Sequence, residues 1–160
     1  MHILAKVSIF FAISVGLSCG NHSVFNTGHI QTKDLAVEVT LERTQCFGTC
    51  PVYKVVFRND GSATFIGESF TPLIGTYKGS IQKERFAKLL DLAESQGYFQ
   101  LQDEYLKGYG GDLPSSRISI TKDNKKKTIL SYGSNIPKQL EIIQSSIDTE
   151  VSNIKWEKDN

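Results

Sequence analysis

Residues 52–68 read VYKVVFRNDGSATFIGE, and the fold is decided there. β-Branched and aromatic side chains dominate Val52 to Arg58, the composition of a strand. Asn59-Asp60-Gly61 follows, and an Asp-Gly pair adopts the positive φ values that a tight hairpin turn requires. Ser62 to Glu68 then returns as a second strand. A hairpin at this position predicts an antiparallel sheet, to which the flanking segments add.

On the N-terminal side, Val37, Val39 and Leu41 alternate with Glu38, Thr40 and Glu42, the period of a half-buried strand. The loop Cys46-Phe47-Gly48-Thr49-Cys50-Pro51 joins that strand to the hairpin. On the C-terminal side a weaker strand covers Ile74 to Gly79. The period then changes: Phe86, Leu89, Leu90 and Ala93 share one helical face. They predict a helix over Gln82 to Gln96, with Ser80 as a candidate N-cap and Gly97 as a left-handed stop. Tyr98, Phe99 and Leu101 are expected to pack beneath it. Asp103 to Pro114 reads as a Gly-rich surface loop. Strands are expected again at Arg117–Thr121 and Thr128–Tyr132, turning at Asp123-Asn124. A last helix starts at about Pro137, with Ile136, Leu140, Ile143 and Ile147 as its buried stripe. The tail through Trp156 reads as a helix extension or a frayed end. The expected architecture is one small α+β domain over residues 35–150, with a tail over 151–160. It has a mainly antiparallel sheet of about six strands and two helices on one face, since short connections favour antiparallel neighbours.

The first nineteen residues read differently. Lys6 precedes the apolar run VSIFFAISVGL at residues 7–17. That run falls short of the roughly 20 residues a membrane span needs, and fits a signal peptide instead. It ends in Gly16-Leu17-Ser18-Cys19-Gly20, which resembles a bacterial lipobox, where the cysteine is diacylated and the leader cut before it. Gly16 stands where that motif usually carries leucine, so an ordinary secretory leader is the alternative. The lipobox reading makes Cys19 the lipidation site and residues 20–34 a polar tether. It places the protein in the cell envelope, exported and held at a membrane by its N-terminal lipid.

Composition narrows the chemistry. Of 18 basic residues in the 160, only Lys6 lies in the leader, so the remainder carries 17 basic against 17 acidic residues. A neutral chain lacks the positive field that drives nucleic-acid binding. Cys46 and Cys50 are expected to form a structural disulfide in an oxidising compartment. A thiol–disulfide redox pair is the alternative, although Cys50-Pro51 leads into a strand and so lacks a helix N-terminus to stabilise a thiolate. The three histidines, His2, His22 and His29, all precede the domain. Serine or cysteine triads and zinc sites therefore lack their usual partner. There is no G-x-S-x-G elbow and no phosphate loop at Gly108, Gly110 and Gly111. Asp103, Glu104 and Asp112 leave a weaker option of carboxylate hydrolysis. The loop residues Tyr105, Tyr109 and Asp112 form a candidate binding surface, although turn chemistry also accounts for Asp112 and Pro114. The reading is a non-catalytic binding domain with a protein or envelope component as partner, and neither cofactor nor metal is expected.

The segment Arg43-Thr44-Gln45-Cys46-Phe47-Gly48-Thr49-Cys50-Pro51-Val52-Tyr53 resembles the opening of the domain-of-unknown-function family DUF6438. Asp60-Gly61, Gly97-Tyr98-Phe99 and Asp112-Leu113-Pro114 resemble it too, so the likeness runs from about Leu35 to Ile147. Gln45 departs from the proline that the family often carries there. The resemblance implies bacterial envelope proteins, often lipoproteins, and no established activity.

Overall fold

A computed structural model describes residues 36–107 and 110–159. The leader, Cys19 and the tether lie outside the described residues. The chain runs β1 (Glu38–Arg43), β2 (Val52–Arg58), β3 (Ser62–Ser69), β4 (Gly75–Ser80), α1 (Lys83–Ser95), a 3₁₀ turn at Tyr98–Gln100, β5 (Glu104–Tyr105), β6 (Ser115–Lys122), β7 (Lys125–Tyr132), α2 (Lys138–Asn153) and β8 (Glu157–Lys158). All eight strands join one sheet in the order β5-β7-β6-β1-β2-β3-β4-β8. Neighbours are antiparallel except β5, which lies parallel to β7. The fold is thus a single α+β domain with eight strands rather than about six. The two extra strands are two residues long, too short to leave an alternating pattern in sequence.

The turns follow from their residues. Asp60 Oδ1 accepts the Ser62 N–H at 2.8 Å and shapes the β2–β3 hairpin. Asp123 and Asn124 both take positive φ, 51° and 60°, at the β6–β7 tip. Gly97 stops α1 with φ 71°. The N-cap of α1 is Gln82, because Ser80 is the last residue of β4.

Strand alternation builds the core. Val39 and Leu41 of β1 face Phe57 and Val55 of β2, while Ile118 and Ile120 of β6 flank them on the other side. These side chains are buried beneath Phe86, Leu89 and Ala93 of α1 and Leu140, Ile143 and Ile147 of α2. Burying each large aliphatic or aromatic side chain contributes roughly 1.5–3 kcal/mol. Tyr98 is fully buried, and its hydroxyl donates toward the carbonyls of Ile118 and Lys127, at 3.0 and 3.1 Å. The opposite sheet face is polar, with cross-strand pairs such as Glu38–Arg58.

Candidate functional site

The same alternation that buries Val39 and Leu41 turns Arg43 toward the helices. Tyr53 lies directly opposite it on β2. Asp148 of α2 follows the buried Ile147 and completes a polar cluster. Arg43 Nη2 donates to Asp148 Oδ2, its Nε lies 3.2 Å from the Tyr53 hydroxyl, and its Nη1 donates to Ser116 Oγ at 3.1 Å. The Tyr53 hydroxyl donates to Asp148 Oδ1 in a short hydrogen bond. Burial pushes the Tyr53 phenol pKa well up, and the Asp148 carboxylate adds to the effect. Burial is the largest single influence on Arg43 and opposes its charge, but the hydrogen bonds and charge attraction of Asp148 and Tyr53 together outweigh it and leave the guanidinium above its ordinary value. One cation and one anion cancel, so the cluster is polar without net charge.

Above it opens a cleft of about 630 Å³ whose lining includes Pro51, Phe65, Phe70, Leu73, Val151 and Trp156. That volume lies within the range of small-ligand sites, and so does its makeup of apolar walls around a few polar groups. Tyr53 and Phe65 stack at 5.2 Å, and Phe65 meets Trp156 at 5.5 Å. Trp156 is fixed by its indole N–H, which donates to the Val151 carbonyl at 2.9 Å.

Two glycines make these walls possible. A Cβ at Gly67 of β3 would sit 1.8 Å from the Leu73 carbonyl oxygen, so only a missing side chain lets the 70–74 loop fold onto the sheet. A Cβ at Gly79 of β4 would meet Ile154 Cγ2 at 2.5 Å and Trp156 Cε3 at 3.0 Å. The strand pairing also shifts register between Val52 and Tyr53, a bulge beside the cleft. Phe70 holds φ at 53°, a conformation costing about 1–2 kcal/mol for a bulky L-residue. Residues Val151 to Asp159 therefore do more than extend or fray α2: they wall the cleft, and β8 pairs with the β4 edge at Tyr77 and Lys78.

The residues singled out from sequence lie elsewhere. Cys46 and Cys50 form a disulfide in the β1–β2 loop, beside the cleft at Pro51. Tyr105 is half-buried against the core, and its hydroxyl accepts the Gln102 N–H at 3.0 Å, so it anchors its own loop. Tyr109 lies outside the described residues. Asp112 is exposed, and its carbonyl accepts the Phe47 N–H at 3.0 Å. Asp103 is ion-paired with Lys127, and Glu104 sits on the short edge strand β5. Among the described residues, no group of three histidine, cysteine or acidic side chains is placed to hold a metal.

Sequence reading missed Arg43, Tyr53, Leu73, Asp148 and Trp156 as a site. Three signals were present: an arginine where alternation demands an apolar residue, glycines on the inward positions of two strands, and an uncharged Phe-Thr-Pro-Leu-Ile loop. Among the described residues no helix is long and apolar enough to cross a membrane. A search of the curated proteins finds no match. The family model DUF6438, a domain of unknown function, matches residues 37–151, which is most of the chain and nearly all of the sheet and helices just described, and the chain belongs to that family.

Proposed function

We propose that this is an exported, lipid-anchored envelope protein whose folded domain is a non-catalytic binding module, with the cleft as its binding site. The observation that carries the reading is the cleft itself: largely apolar walls around a charge-balanced Arg43–Asp148 pair. Its ionisable groups bond one another, so they are arranged to orient a ligand rather than to exchange protons with it. The leader and the Cys19 motif support export and anchoring, and so does the Cys46–Cys50 bridge, a bond that persists in oxidising compartments. The thiol–disulfide alternative finds less support. Cys50 leads through Pro51 into β2, where no helix dipole lowers a thiol pKa.

Trp156 is the sole tryptophan and reports on the cleft directly. Titrating the protein with N-phenyl-1-naphthylamine, an uncharged apolar fluorophore, should give saturable quenching of tryptophan emission. Val151→Phe, which fills the cleft, should abolish it while the circular dichroism spectrum stays unchanged. Equal quenching in both proteins, or none in either, refutes the cleft as the site. Intact-mass analysis of the membrane fraction tests the anchor: diacylglycerol on Cys19 is expected, and an unmodified N-terminus after cleavage refutes it.

A further inference from the structure

Antiparallel pairing gathers the end of β1, the start of β2, the end of β3, the start of β4, the start of β6 and the end of β7 at one end of the sheet. The connecting segments 133–137, 110–114, 44–51 and 70–74 therefore lie side by side, in sheet order. They are also joined. The Gly133 N–H donates to the Pro114 carbonyl at 2.9 Å and the Phe47 N–H to the Asp112 carbonyl at 3.0 Å, while Pro51 and Phe70 both line the cleft.

The connecting segments at this end are largely apolar, and the Arg43–Asp148 pair beside them is turned into the cleft. Phe47, Phe70, Ile74 and Leu113 are 88, 57, 53 and 56% exposed, and they are four of the five large apolar side chains exposed among the described residues. Among the described residues the four connections, taken whole from element to element, hold two charged residues, Lys107 and Asp112. The turns at the other end carry Asp60 and Asp123, and the strand ends beside them Arg58, Lys122 and Lys125. Isolated exposed apolar side chains are ordinary, but a continuous uncharged rim of them marks an interaction surface.

The geometry points to this end as a membrane-contact surface that inserts Phe47, Leu113, Phe70 and Ile74 into the headgroup–acyl boundary of the leaflet holding the anchor. The inference rests on the lipid-anchored reading above. Protein-binding patches are enriched in arginine and tyrosine and rimmed by polar groups, and the described residues of these segments contain neither arginine nor tyrosine. Lys107 stands alone and Arg43 is paired with Asp148, so the described residues offer no basic cluster to attract anionic headgroups. The surface therefore suits an uncharged, zwitterionic interface. The disulfide closes the Phe47 loop, so the aromatic tip is presented with little left to order.

Tether length agrees. Eighteen residues lead from Cys19 to Val37, enough chain to reach at most about 60 Å. They enter β1 at the charged end, and the six residues of β1 span about 20 Å. That reach exceeds the length of β1, so the anchor leaves the apolar end within reach of the bilayer. Because the anchor makes insertion intramolecular, even weak loop contacts suffice to hold the orientation.

The test uses the full, natively processed protein in phosphatidylcholine vesicles, with phosphatidylcholine brominated in its acyl chains as quencher. Phe47→Trp places a reporter at the apolar end and Asp123→Trp one at the charged end; the unsubstituted protein supplies the Trp156 background. The emission added by Phe47→Trp should be blue-shifted and quenched at least twofold, and that added by Asp123→Trp unquenched. Equal quenching at both ends, or none at Phe47→Trp, overturns the membrane contact. Shielding of Phe47→Trp from aqueous iodide in native membranes but not in protein-free vesicles also overturns it, in favour of a protein partner. Intact mass of the same sample separates the two readings. Diacylated Cys19 with an unquenched Phe47→Trp sinks this inference alone, whereas an unmodified Cys19 sinks the anchor and the inference with it.

Discussion

Replacing Gly67 by alanine should destabilise the domain and spoil the cleft together. An alanine at an ordinary strand position would gain about 0.4–1 kcal/mol over glycine, because the unfolded chain loses freedom. Here the added methyl lies 1.8 Å from the Leu73 carbonyl oxygen and 2.8 Å from Thr71 Cγ2. The nearer atom is backbone, so no rotamer change relieves the contact. The 70–74 loop must retreat by roughly 1.5 Å to reach ordinary van der Waals distance. Overpacking of this kind costs about 1–3 kcal/mol. After the gain is set against it, a net loss of about 1–2 kcal/mol is expected. Urea denaturation followed by Trp156 emission gives the loss directly, as a lower midpoint with an unchanged slope. The same sample should bind N-phenyl-1-naphthylamine at least threefold more weakly, since Leu73 is a wall of the cleft. Gly79→Ala is the comparator: its added methyl meets the Ile154 side chain at 2.5 Å, Trp156 at 3.0 Å and the Lys155 carbonyl oxygen at 3.2 Å, all milder than 1.8 Å to backbone, so its stability loss should be smaller. If Gly67→Ala proves as stable as the parent and binds the probe equally well, the packing of the loop on β3 is wrong.

Three further outcomes are expected. Burial raises the phenol pKa values of Tyr53 and Tyr98 above the ordinary 10.0, so the fold favours their protonated forms. Stability should be intact below that pH and fall above it, by up to about 1.4 kcal/mol per pH unit for each tyrosine, as the unfolded chain ionises first; Tyr98→Phe should cost about 1 kcal/mol at neutral pH and reduce the alkaline slope, and an unchanged slope argues against it. Asp148→Asn leaves Arg43 without its counter-charge, so an anionic probe such as anilinonaphthalene sulfonate should bind the cleft more tightly than it binds the parent. The partial exposure of the pair limits the stability loss to about 1 kcal/mol. Joint Cys46→Ala and Cys50→Ala substitution opens only a short loop and should cost about 2 kcal/mol in urea denaturation; complete unfolding would show that the bridge holds more than its own loop.

The fold was largely legible because its signals are local. Asp60-Gly61 fixed a hairpin, the spacing of Phe86, Leu89 and Ala93 fixed α1, and Gly97 fixed its end. What local pattern does not encode is which strands become neighbours. β1 sits at the middle of the sheet between β2 and β6, a pairing between segments more than seventy residues apart. β5 and β8 were illegible for a related reason: two residues carry no period, and their pairing depends on the edges of β7 and β4. The cleft suffers from the same limit. Arg43 and Asp148 are 105 positions apart, and neither stands out until alternation and helix pitch are laid over one another. The tyrosines of the 103–114 loop drew notice by composition alone, whereas Tyr105 spends its hydroxyl on a neighbouring amide.

The short β8 strand has a practical consequence for anyone trimming this protein. The family match ends at residue 151, but Trp156 and the pairing with Tyr77 and Lys78 lie beyond it. A chain shortened to that boundary would lose an aromatic plug and leave β4 an uncovered border with free amides, a template for stacking against further copies. Such a fragment should precipitate where the longer chain stays dispersed, and a tag fused directly after Asp159 would crowd the same border.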